Sequence, residues 1–176
     1  MIHLTKNAQK CAWILASVCA LALVPFPSEA QGSNRQIYPD PSQAKADISA
    51  ALKVAAQTHK RVLLDFGGDW CGDCQVLNIY LHDEKNLPLL ESGFVLVHVN
   101  VGHLDANLDI ASKYQVPVQR GVPLIAVLSD KGALLYAQKI GEGEALSRNT
   151  ESSSVTRFLA RWKPGTAGCS TVMVNC

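Results

Sequence analysis

The chain has no basic tract and no block of like charge. Its 16 Lys and Arg stand against 15 Asp and Glu, a formal net charge of +1. That balance gives no electrostatic footprint for nucleic acid, and no argument for an acidic partner or a charged membrane surface. It also lacks internal repeats and any sign of a second domain. No apolar run reaches the roughly 20 residues of a membrane span. The glycine-bearing stretch Gly141-Glu142-Gly143-Glu144 lacks the Lys and Ser/Thr of a phosphate-binding loop. Cysteine is sparse, six in all, and no two pairs stand at the spacing of a zinc site.

The N-terminus is the chain's most apolar part. Lys6 and Lys10 precede an uncharged stretch from Ala12 to Val24, which Pro25 and Pro27 break. Ser28-Glu29-Ala30 then offers small residues where a signal peptidase reads. This predicts a signal peptide over 1–30, cleaved after Ala30, and a periplasmic or secreted protein. The run also admits an uncleaved anchor, though it is short for one. A lipoprotein site at Cys19 fits poorly, because Val18 precedes it. Cleavage removes Lys6, Lys10 and Glu29 and leaves 14 basic and 14 acidic residues. It also leaves one domain's length and four cysteines: Cys71, Cys74, Cys169 and Cys176. Export places these where disulfides form and persist.

Residues 31–40 read as a loose polar segment. Asp40-Pro41 starts a helix that carries Ile48, Leu52 and Ala55 at helical spacing to about Thr58. Val62–Phe66 is a buried strand, a helix follows from about Cys71 to Tyr80, and Asp83–Glu91 forms a further turn or two around Pro88. Phe94–Val101 is a second strand, Asp105–Tyr114 a helix and Leu124–Leu128 a third strand. Ser129–Gly132 turns into a fourth strand over Ala133–Ile140, and a last helix runs from Ser152/Ser153 to Trp162. Strands joined by helices imply parallel pairing, with the final hairpin adding an antiparallel strand. The domain spans 41–163, and 164–176 is a Gly-, Ser- and Thr-containing tail.

Within that pattern lies Asp65-Phe66-Gly67-Gly68-Asp69-Trp70-Cys71-Gly72-Asp73-Cys74. A buried strand ends in an acid, passes a glycine pair and delivers Trp-Cys-x-x-Cys to a helix start. Unpaired N–H groups there favour a thiolate. They can bring a cysteine pKa from about 8.5 into the range of about 3.5–7.5. Cys71 is then the nucleophile, and Cys74, one turn on, resolves the mixed disulfide. Two other readings exist: a permanent structural disulfide, and half of a zinc site completed by His82 or the tail cysteines.

With the Val122-Pro123 pair before the third strand, these residues make 40–163 similar to the thioredoxin superfamily. The long piece between Cys74 and Phe94 is more similar to exported thioredoxin-like domains, such as the C-terminal domain of the bacterial membrane electron transporter that feeds reductant into the periplasm. The resemblance implies an α/β thioredoxin fold, a central mixed sheet of four to five strands flanked by helices. It implies an exported thiol–disulfide oxidoreductase, leaning to reduction, with protein disulfides as substrates and a membrane-bound electron donor. The protein is expected to be a monomer with no cofactor beyond the cysteine pair, no metal and no nucleic-acid partner. A non-catalytic binding or assembly module on the same fold is the alternative.

Site roles follow. Asp65 is costly to bury without a task or partner. Desolvation favours its protonated form, which suits a proton acceptor for Cys74; otherwise it only caps the loop. Val122 and Pro123, the latter cis in this family, leave a backbone edge for an extended substrate. Pro117 competes for that role. Trp70 belongs to the substrate face or to the core. Gly72-Asp73 replaces the family's Gly-Pro and tunes the couple. Asp69 and Asp73 disfavour a thiolate nearby, or are solvated surface groups. His98 stands where thioredoxins often carry a lysine near the buried acid. The family's helix-kinking proline is absent, with Ile79 about there. His82 and His103 carry no argument for a site. Cys169 and Cys176 form a local disulfide, or remain free, pair between chains, or relay electrons.

Overall fold

The computed structural model describes residues 36–139 and 151–165. The signal-peptide reading, residues 31–35, the Gly141–Glu144 stretch and the Cys169/Cys176 pair lie outside the described residues.

A 3-10 turn at Pro41–Gln43 opens the domain, with Asp40 as its cap: the Asp40 carboxylate accepts from Ser42 N at 2.8 Å. It leads into α1 (Ala44–Thr58), which ends where His59 adopts a left-handed conformation. Then follow β1 (Arg61–Gly67), α2 (Gly72–Leu81), α3 (Leu87–Gly93), β2 (Phe94–Asn100), α4 (Leu108–Lys113), β3 (Leu124–Leu128), β4 (Leu134–Ala137) and α5 (Ser152–Trp162). The four strands form one mixed sheet in the order β2-β1-β3-β4. This is the α/β architecture of a thioredoxin fold.

β1 is central, and alternation along it divides the core. Val62, Leu64 and Phe66 join Ile48, Ala55, Val99 and Ile110 beneath α1 and α4. Leu63 faces the other way, to Leu77, Leu81, Val127, Phe158 and Leu159 beneath α2 and α5. The chain therefore reaches the end of β1 with both faces of the sheet covered, and the residues that follow it are held on a rigid base.

One expectation needs correction. β1 and β2 are parallel, but β3 runs antiparallel to β1 as well as to β4. A parallel partner needs a connection that carries the chain back to the end where the strand began. The segment after β2 instead spends its residues on a tight turn at Val101–Ala106, on α4 and on a 3-10 turn at Val118–Arg120, and it comes back to the end it left, so β3 enters beside Phe66. α4 itself starts later than its pattern suggests. Asp105 turns the preceding loop by accepting from His103 N at 2.9 Å, and Asn107 takes a left-handed conformation.

Candidate active site

The site is built where β1 ends. Cys71 is the N-cap of α2, and its Sγ lies 3.1 Å from Cys74 N, which points at it from the helix's first turn. The two sulfurs are joined in a disulfide, with Cα atoms 5.2 Å apart. Both cysteines are buried, Cys74 completely. α2 runs without interruption past Ile79, which points to solvent.

Pro123 follows a cis peptide bond. Val122 O lies 3.8 Å from Cys71 Sγ; in the disulfide this is a packing contact, since that sulfur carries no proton. Sheet pairing starts at Leu124, so Val122 and Pro123 stand just outside the ladder and beside the sulfur pair. Pro117 instead precedes a 3-10 turn at Val118–Arg120.

Asp65 is fully buried. Its Oδ2 accepts from the Tyr38 hydroxyl at 2.7 Å and lies 2.9 Å from His98 Nδ1. Its Oδ1 has no hydrogen-bond partner among the described residues. The acid therefore has partners of its own inside the protein and does more than cap a loop. His98 is its direct neighbour across β2.

Tyr38 changes the reading of the N-terminal segment, whose described end is packed. Ile37 N and Tyr38 N both donate to Asp69 Oδ1, at 2.8 and 3.1 Å. Pro39 O accepts from Asn100 Nδ2 at 2.8 Å. The Tyr38 ring is buried against Cys71 and Cys74 and meets His98 edge-on, with centroids 5.1 Å apart. Burial first, and then the adjacent charge of Asp65, raise the Tyr38 pKa far above the usual phenol value. Gly67 makes room for this: a Cβ there would lie 2.8 Å from Cys74 Sγ and closer still to the Tyr38 hydroxyl. Asp69 is consequently a clamp for the segment. Tyr38 was not picked out from the sequence. The available signal was an aromatic in a polar run, facing Gly67, which has no side chain of its own.

Trp70 is 48% exposed, which removes the core reading. Its indole folds back over Gly68, where a Cβ would sit 2.6 Å from Nε1, and donates to Gly102 O at 2.6 Å. His103, which carried no argument in the sequence, stacks on it at 5.6 Å. His82 is exposed, with Nδ1 2.8 Å from Asn78 O. Among the described residues no three His, Cys, Asp or Glu side chains gather as metal ligands. The ensemble is an exposed aromatic platform, two buried sulfurs at a helix start, and a buried carboxyl bonded to the Tyr38 that packs with them.

Comparison with known proteins points the same way. The Thioredoxin-like family model matches residues 43–129. The chain is 32% identical over 85 residues to a thioredoxin of Buchnera aphidicola subsp. Baizongia pistaciae, an alignment covering 48% of this chain and 69% of that one. The solved structure of a disulphide isomerase from Xylella fastidiosa Temecula1 is 33% identical, with a TM-score of 0.64, covering 71% of this chain and 95% of that one.

Proposed function

Because the chain belongs to the thioredoxin-like family and is a thiol–disulfide oxidoreductase, we propose that it acts outside the cytoplasm as a reductase of protein disulfides. The carrying observation is the Cys71–Cys74 disulfide at the start of α2, backed by a buried carboxyl and flanked by an exposed tryptophan.

In the reduced protein, Cys71 attacks a substrate disulfide. A bond forms between Cys71 Sγ and one substrate sulfur, and the other substrate sulfur leaves with the bonding pair. The α2 N-terminus supports the attacking thiolate. Cys74 then attacks Cys71 Sγ, the internal disulfide re-forms and the second substrate sulfur departs. Cys74 must lose its proton for this step, and Asp65 is the acceptor. The backbone at Val122 pairs with an extended substrate segment, and Trp70 offers it an apolar surface.

The reducing direction rests on Asp73, whose negative charge beside Cys71 disfavours the thiolate form. The extracytoplasmic setting rests on the apolar N-terminal run. A membrane-bound donor would restore the dithiol, and no organic cofactor or metal is required.

Cys71→Ser should abolish reduction of insulin disulfides by the purified protein; turnover at the wild-type rate would overturn the assignment. The direction is tested by the redox equilibrium with glutathione. A potential near about −270 mV fits a reductase, and one near about −120 mV an oxidant.

A further inference from the structure

A buried carboxyl that takes up a proton in every cycle must also release it. Asp65 is fully buried, and a protein substrate seated over Trp70 and Cys71 would shield the sulfur side from water. Two side chains reach its Oδ2. Tyr38 is itself buried, and its hydroxyl already donates to the acid. His98 differs. It lies on β2, an edge strand of the sheet, directly opposite Asp65. Its Nδ1 is 2.9 Å from Oδ2, and its side chain is 17% exposed where that of Asp65 is 0%. An imidazole can take a proton on one ring nitrogen and release one from the other.

We infer that His98 is the proton outlet of this site, carrying protons sideways between Asp65 and water past the sheet edge while a substrate covers the disulfide face. The inference rests on the reading of the site as a disulfide exchanger. Its steps balance. When the internal disulfide closes, Cys74 S–H gives its proton to the Asp65 carboxylate. The Cys71–Cys74 bond forms, the bond between Cys71 and the substrate breaks, and the substrate leaves as a thiolate with the bonding pair. The Asp65 carboxylic acid then passes its proton to His98 Nδ1, and the imidazolium gives its Nε2 proton to water. The carboxylate is restored and the imidazole is left neutral with its proton on Nδ1, the tautomer from which the reverse sequence starts; no electrons move in this second part. The reverse sequence supplies Cys74 with a proton when the disulfide is opened. Among the described residues, the titratable groups around His98 are Asp65 on β1, Tyr38 on the N-terminal segment, and Asp47 of α1, which lines the same groove along β2.

Two variants separate an outlet from a mere hydrogen-bond partner. His98→Gln keeps an N–H donor for Asp65 but cannot cycle a proton. His98→Ala removes both and leaves a hole that free imidazole can enter. The rate of oxidation of the reduced full-length protein by excess insulin is followed through tryptophan fluorescence at neutral pH, alongside the redox equilibrium with glutathione. Both variants should be about tenfold to a hundredfold slower than wild type. Added imidazole should accelerate His98→Ala severalfold and leave wild type unchanged. A His98→Gln protein as fast as wild type, or a His98→Ala deficit that imidazole does not relieve, would overturn the outlet while leaving the oxidoreductase reading in place. A wild-type protein that does not exchange with insulin would overturn that reading, and the outlet with it.

Discussion

Replacing Tyr38 with Phe removes one oxygen from the interior and keeps the ring. That oxygen donates to Asp65 Oδ2 at 2.7 Å. Its loss should cost about 1–3 kcal/mol at neutral pH, the range for a buried group deprived of a hydrogen-bonding partner. The pH dependence is the sharper test. Burial, and then Asp65, raise the Tyr38 pKa far above its ordinary value of 10.0. The folded protein thus keeps the phenolic proton where the unfolded chain has lost it. A pKa raised on folding contributes its stability in full below the unfolded value, and loses it as the pH climbs toward the folded one. Above about pH 10 the wild-type protein should therefore lose about 1.4 kcal/mol per pH unit through this group. The variant has no phenol at that position and lacks this slope. The two stability curves, separated at neutral pH, should converge about one to two units above pH 10. Urea denaturation of the oxidised proteins at stepped pH measures this. Curves that stay parallel into the alkaline range, or a variant as stable as wild type at neutrality, would refute the placement of Tyr38 against Asp65.

Four further outcomes follow from the same geometry. Gly67→Ala should destabilise by about 1–3 kcal/mol in urea titrations, less so when Tyr38 is also truncated to Ala. Gly72→Ala, whose Cβ would meet nothing within 4 Å, should be neutral or stabilising by up to about 1 kcal/mol; equal costs at the two glycines would contradict the packing. Trp70→Phe loses the bond to Gly102 O and should raise KM for insulin about two- to tenfold with little change in kcat; an unchanged KM would remove Trp70 from the substrate face. The Ser152 hydroxyl, and then backbone N–H groups of Asn86 and Lys85, hold the Asp83 carboxyl below the usual carboxylate range. That stabilisation is present above the unfolded pKa and is lost as the pH falls through the folded one. Acid unfolding of Ser152→Ala should therefore be less steep than that of wild type, and identical acid limbs would deny the link.

Much of this was legible in the sequence because the signals were local. A strand as apolar as Val62–Phe66 has no place but the centre, and a cysteine pair after it had to land at a helix start. The Val-Pro pair before Leu124 was readable for the same reason. What escaped was long-range. Tyr38 is separated from Asp65 by 27 positions, and no periodicity links an aromatic in a polar run to a glycine downstream. His103 meets Trp70 only because the loop after β2 turns back over Gly68. The antiparallel β3 was missed because a helix between strands suggests a full crossover, whereas here the connection returns to the end of the sheet that it left. Asp69 looked like a surface acid because backbone N–H groups, its actual partners, leave no trace in side-chain chemistry.

The region shared with the family begins at residue 43, five positions beyond the phenol ring that packs with the two cysteines. A fragment trimmed to that boundary would keep every strand and helix and still lack part of its reactive centre, with a ring-sized hole beside Cys74.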